Sequence, residues 1–176
     1  MIYFTSDTHF SHKNIIKYSK RPFNSIDEMD ETLIKNWNSK ISDNDIVNFL
    51  GDFCFGDLKR HNEIFHQLNG KKHLIKGNHD KSDIVEKMPW ESIADYKEIK
   101  FHRHLIILCH YPMRSWNKMH RGSWMLYGHC HANLPELDYM KSTDVGVDNQ
   151  NYTPVSFDDL KPVMDRRVFR PVDHHF

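Results

Sequence analysis

Residues of the kinds that bind metals gather where short apolar runs stop. Asp7-Thr8-His9 follows Ile2 to Thr5, Gly51-Asp52 follows Ile46 to Leu50, and Gly77-Asn78-His79-Asp80 follows His73 to Ile75. His110 closes the run Leu105 to Cys109, and Gly128-His129-Cys130-His131 follows Ser123 to Tyr127. Asp7, His9, Asp52, Asn78, His110, His129 and His131 together offer four imidazoles, two carboxylates and one amide. Such a nitrogen and oxygen set suits Zn, Mn, Fe or Ni, and the lack of a Cys-x-x-Cys pair argues against a structural thiolate zinc site. Seven donors exceed one tetrahedral ion. Two divalent ions sharing a carboxylate would use them all, and a two-metal site about 4 Å across stabilises both the attacking and the leaving oxygen of an in-line displacement at phosphorus. Two dications against two aspartates leave a net positive pocket, suited to a phosphate anion.

These clusters are far apart in sequence, so the fold must bring them together. Ile2 to Thr5 reads as a strand, and Ile26, Met29, Leu33, Ile34 and Trp37 recur at helical spacing behind Ser25, an N-cap with Glu28 three residues on. A strand from Ile46 to Leu50, a polar helix from about Leu58 to Leu68 and a strand at His73 to Ile75 complete a β-α-β-α-β order. Further strands are expected at Ile93 to Phe101, Leu105 to Cys109, Ser123 to Tyr127 and Thr143 to Val147, then a last strand and a capped helix from Pro154. Two sheets, one fed by crossover helices and one by hairpins, fit an α/β layered sandwich. In an open α/β sheet, ligands bind beyond the carboxyl ends of the strands, where every one of these clusters lies. Gly51, Gly77 and Gly128 fit a backbone that needs positive φ or an approach too close for a Cβ.

The ordered set D-x-H, G-D, G-N-H-[DE], H and G-H-x-H resembles that of the calcineurin-like metallophosphoesterases, and the match covers most of the chain. The resemblance implies a four-layer α-β-β-α sandwich with two mixed β-sheets, its site at one end. It implies that Asp7, His9 and His131 bind one metal, that Asp52 bridges, and that Asn78, His110 and His129 bind the second. It leaves His79 free to face the substrate, protonating the leaving alkoxide or stabilising the transferring phosphoryl group, with Asp80 to orient it. The nucleophile would be a hydroxide bridging the ions. Short chains that keep Asp7-Thr8-His9-Phe10 and Tyr127-Gly128-His129 resemble bacterial and bacteriophage phosphoesterases.

Other residues carry two readings. His12, with Lys13, lines the pocket or begins a solvated helix; Arg114 clamps a substrate phosphate or is a surface arginine. Tyr111, Trp116, Trp124 and Tyr127 offer nucleobase stacking, though Trp124 and Tyr127 lie in a strand and read as core. His61, His66, His73, His102, His104, His120, His174 and His175 read as surface residues, and Cys109 and Cys130 as buried thiols on the face opposite the ligands.

A length of 176 residues bounds the chain to one domain, 1–176, and 39% hydrophobic with 27% charged residues marks a globular protein. Twenty-four basic residues balance twenty-four acidic ones, which disfavours strong non-specific nucleic-acid binding but leaves room for a local basic strip. No apolar run is long enough to span a bilayer and the N-terminus lacks a signal pattern, so a cytoplasmic location is expected. Three cysteines are too few for a disulfide framework. The leading expectation is a phosphodiesterase, or a phosphomonoesterase, acting on a small nucleotide-like phosphoester with two divalent ions. The alternatives are a nuclease, a non-catalytic scaffold and a metal site that only stabilises the fold.

Overall fold

A computed structural model describes residues 1–168. His174 and His175 lie outside the described residues. The first sheet has the order β4-β3-β2-β1-β9: β1 (Ile2–Thr5), β2 (Ile46–Phe49), β3 (Lys71–Ile75) and β4 (Ser92–Ala94) run parallel, and β9 (Val155–Ser156) pairs antiparallel with β1. The second has the order β5-β6-β7-β8, from β5 (Tyr96–Phe101), β6 (His104–Cys109), β7 (Trp124–Tyr127) and β8 (Ser142–Asp144). Both sheets are mixed, as expected.

Side-chain alternation sets the layers, because neighbours on a strand face opposite ways. Ile2, Phe4, Leu50 and Ile75 from the first sheet meet Ile106, Leu108, Trp124 and Leu126 from the second in a buried core between them. On the outer face of the first sheet, Tyr3, Val47, Phe49 and Leu74 receive Met29, Leu33 and Trp37 of α2 (Ile26–Lys40) and Ile64 and Phe65 of α3 (Leu58–Phe65). Burying each large apolar side chain there stabilises the fold by roughly 1.5–3 kcal/mol. The second sheet turns Ile107, Cys109, Met125 and Tyr127 outward beneath Trp116, Met119 and Met140. Its outer layer is a 3-10 turn at Met119–Arg121 with flanking loops rather than long helices. The remaining helices are α1 (Lys13–Tyr18), α4 (Ser82–Val85) and α5 (Phe157–Arg166).

Caps explain where the longer helices begin. Ser25 accepts from the Glu28 amide, while the Glu28 carboxylate turns back to the Asn24 amide, one residue short of a closed capping box. Ser156 and Asp159 do close such a box at the start of α5.

Four expectations need correction. The run Ile93 to Phe101 is two strands, β4 and β5, that part at Asp95 and enter different sheets. Hairpins do not feed the whole second sheet, since only β5 and β6 pair antiparallel and β6-β7-β8 run parallel. The polar helix stops at Phe65, and the strand expected at Thr143 to Val147 is Ser142–Asp144. No helix among the described residues is long and apolar enough to cross a membrane.

Candidate metal centre

All seven expected donors converge at the carboxyl ends of the strands. Asp7 and His9 follow β1, Asp52 follows β2, Asn78 follows β3, His110 follows β6, and His129 and His131 follow β7. Asp7 Oδ1 lies 3.8 Å from His9 Nε2 and 3.8 Å from His131 Nε2. One oxygen of Asp52, Oδ2, is 3.5 Å from His9 Nε2 and 3.6 Å from His110 Nε2, so it faces both halves of the cluster. Asn78 Oδ1 sits 3.1 Å from His110 Nε2 and 3.0 Å from His129 Nδ1. Donor atoms of Asp7, His9 and His131 lie within 4.8 Å of one another, as do those of Asp7, Asp52 and His110.

Buried donors without partners make this cluster fit a metal. Asp7 Oδ1 and both ring nitrogens of His9 are buried with no hydrogen bond, a costly arrangement for polar groups that no water reaches. Burial pushes the Asp7 carboxyl up to about 7 and drives the His9 imidazole far below its usual range, with the His131 and Arg21 charges adding to the fall. A divalent cation would favour the ionised Asp7 carboxylate and would be served by the neutral His9 imidazole that burial already enforces. Burial also lowers His129, helped by His110.

The backbone is contorted to aim these side chains. Asp7, His9, Asp52, His129 and His131 all adopt left-handed φ, between 46° and 67°, where L residues are strained by ~1–2 kcal/mol each. The glycines allow the remaining approaches. A Cβ on Gly128 would lie 2.1 Å from Ser6 Oγ and 2.3 Å from Asp7 Oδ2, and one on Gly77 would lie 2.2 Å from Asp52 Oδ1. Gly51 combines φ of 94° with a Cβ position 2.6 Å from His110 Nδ1.

Outer contacts fix each donor. His110 Nδ1 donates to Leu50 O at 2.7 Å, which leaves Nε2 with its lone pair toward Asp52 and Asn78. Asp7 Oδ2 accepts from the His129 amide, and Asp52 Oδ1 from the His79 amide. His131 Nδ1 meets Asp148 Oδ2 at 2.6 Å, and Arg21 grips both Asp148 oxygens while donating to the Thr8 and Asp7 carbonyls. Burial alone would raise Asp148 and lower His131. Their mutual hydrogen bond and the Arg21 contacts together overcome burial and hold the Asp148 carboxyl down, and the same bond with the Asp7 and Asp148 charges holds the His131 imidazole up. Neither Arg21 nor Asp148 was expected: Asp148 follows Val145-Gly146-Val147, a strand-end signal like the others, but Arg21 has no local signal.

Asp80 takes a different role from the one expected. Its carboxylate accepts from the Asp52, Phe53 and Gly77 amides, so it fixes the two ligand loops and not the His79 ring. His79 itself is exposed, its ring 5.5 Å from His9 and 5.2 Å from Phe55. His12 joins this wall, stacked on Phe55 at 3.8 Å and 5.4 Å from His9, its Nδ1 buried and unpartnered. Arg114 is not brought to the cluster. It lines a separate groove with Met113, Leu134 and Tyr139, and no hydrogen bond or ion pair engages it among the described residues. His61, expected at the surface, is buried against Phe53 with Nδ1 on Asp57 O. Trp124 and Tyr127 are core, and Cys109 is buried, as expected.

No family model matches the sequence. An uncharacterized protein of Methanocaldococcus jannaschii, MJ1445, is 41% identical over 180 residues, covering 98% of this chain and 96% of its own. The gene 66 protein of Mycobacterium phage L5 is 25% identical over 178 residues, covering 83% of this chain and 86% of its own. The crystal structure of AQ665 from Aquifex aeolicus, a protein of unknown function, superposes with a TM-score of 0.76 at 28% identity, over 93% of this chain and 98% of that one. At 41% identity over nearly its whole length, the chain belongs to one family with MJ1445, and its five motifs, in order and converging at the strand ends of two facing mixed sheets, resemble those of the calcineurin-like metallophosphoesterases.

Proposed function

We propose that the protein is a dinuclear metal-dependent phosphodiesterase acting on a small, nucleotide-like phosphoester. The observation that carries this reading is the set of buried, unpartnered donors, Asp7 Oδ1 and His9 Nε2, facing Asp52 Oδ2 and His131 Nε2. Asp7, His9 and His131 would hold one ion, Asn78, His110 and His129 the other, and Asp52 both. Two bound divalent cations supply Lewis acidity toward a phosphoryl oxygen and lower the pKa of coordinated water.

The chain's own residues do the rest. Leu50 O and Asp148 orient the imidazoles of His110 and His131, so their Nε2 atoms point inward without reorganisation. His79, tethered through its amide to Asp52, presents an exposed ring at the mouth and donates a proton to the departing alkoxide. A cavity of about 140 Å³ beside it, lined by Phe55, Lys81 and Ile84, has room for part of the leaving group. Tyr111 is 47% exposed with its ring 4.7 Å from His129, which offers a stacking face for a base.

The test is turnover of bis-p-nitrophenyl phosphate and p-nitrophenyl phosphate by stripped protein reloaded with Mn, Ni, Zn or Mg, beside Asp52→Asn and His79→Ala. Metal-restored hydrolysis of the diester, abolished in Asp52→Asn and lowered ~10²–10⁴-fold in His79→Ala, is expected. Metal binding without turnover of either ester or of a nucleotide panel would refute the reading.

A further inference from the structure

A second charged feature lies at the other end of the second sheet. Lys100, Arg103, His104, Lys118, Arg121 and Ser123 line a groove of about 480 Å³ with no carboxylate among its lining residues. Among the described residues, none of Lys100, Arg103, Lys118 and Arg121 has an acidic partner within ion-pair distance. The acids nearest in effect are engaged: Asp165 with Lys161, and Glu98 with Asn117 and Tyr96. In a chain of net charge zero, four cations gathered with no ion pair, Lys118 alone feeling the Glu98 carboxylate at longer range, repel one another, and solvent and salt only partly screen them.

Two of these cations are held at a conformational cost. Phe101 and His104 pair across the β5-β6 hairpin, so His102 and Arg103 form its two-residue loop, with φ of 43° and 69°. That turn favours Asn-Gly, and here carries two bulky basic residues instead. Lys118 is likewise left-handed, with φ of 56°. The backbone would be relieved by glycine at either Arg103 or Lys118, so both the strain and the repulsion are tolerated for what the side chains bind.

The groove lies where β6 begins, whereas His110 lies just past its end. Six residue steps of strand separate them by roughly 20 Å, beyond the reach of a small phosphoester held at the metal centre. A single phosphate carries two charges at most and cannot neutralise four cations. A linear chain of three phosphates can, and four converging Lys and Arg side chains are the donors such a chain requires. The lining offers no Phe, Tyr or Trp on which bases could stack, which disfavours single-stranded nucleic acid. We propose that this groove is an oligophosphate-binding site, distinct from the metal centre, that takes a chain of three or more phosphates, free or carried on a nucleoside.

The test is isothermal titration of the full chain, in chelator, with inorganic tripolyphosphate, with ATP and with a short DNA duplex. Arg103→Gly/Lys118→Gly is compared with Lys20→Gly, which also removes an exposed left-handed lysine but not one of the groove. Saturable tripolyphosphate binding, weakened about tenfold or more in the double variant and unchanged in Lys20→Gly, is expected. The double variant should also melt higher than wild type without ligand, which a mere folding defect cannot produce. Equal affinity for ATP would assign recognition to the phosphate chain alone, and tighter ATP binding would add a nucleoside; both support the site. No saturable binding, equal loss in Lys20→Gly, or duplex DNA binding more tightly than tripolyphosphate would overturn it.

Discussion

Replacing Asp7 by Asn should make the metal-free protein more stable at neutral pH. Asp7 is fully buried, with Oδ2 on the His129 amide and Oδ1 without a partner. An asparagine of the same shape keeps the first contact and removes the charge. Burial raises the Asp7 carboxyl from 3.8 to about 7, so the unfolded chain loses this proton while the folded chain still holds it. Stability therefore falls as pH rises from about 4 to about 7 and is level above. A shift of that size corresponds to ~4 kcal/mol at full expression. In a chain of this length each kcal/mol moves the melting temperature by about 2–4 °C, so the gain approaches ~10 °C. The assay is a thermal melt by circular dichroism in chelator, wild type against variant, from pH 4.5 to 8. Taking the difference between the two cancels the other raised carboxyls, Asp30, Asp80 and Asp144. The gap should open with rising pH, and added metal should reverse it by stabilising the wild type alone. Stripped wild type melting at or above the variant at pH 8 would refute the argument.

Asp148→Asn should weaken metal binding about 10–100-fold by releasing His131, and should lower the melting temperature because the buried Arg21 guanidinium loses its counter-charge; metal titration calorimetry and melts check the two effects separately. Lys72 lies buried over the Phe65 ring, donating to Leu68 O and Gly70 O, and burial pushes its ammonium down to about 8. The folded chain gives up that proton before the unfolded one, so stability should gain from this group as pH rises from about 8 toward 10.5, and Lys72→Met should flatten that rise in urea titrations.

Much of this architecture was legible because local patterns and the global fold agree. Met29, Leu33 and Trp37 recur at helical spacing and face the first sheet, and Ser25 caps them. The donors were legible for a different reason: a polar residue directly after a buried strand must be spent on something, and all five runs spend theirs at one place. What stayed hidden depends on the third dimension. β4 and β5 read as one strand because Asp95, the corner between them, is neither glycine nor proline. Arg21 and Asp148 meet across 127 residues of sequence, a separation over which no spacing rule operates. Asp80 sits next to His79 in sequence, yet its carboxylate turns back onto amides of the β2 and β3 loops.

Each donor set draws on both sheets. Asp7 and His9 come from the first sheet and His131 from the second; Asp52 and Asn78 come from the first, and His110 and His129 from the second. Neither half of the sandwich owns a complete coordination sphere. Metal bound there would act as a clasp across the seam, so loading would have to wait until the halves have docked, and prying the halves apart would expel it. Amide exchange in the core between the sheets, far from any ligand atom, should slow when metal is added, and that distant quiet would be the measure of how firmly the clasp is shut.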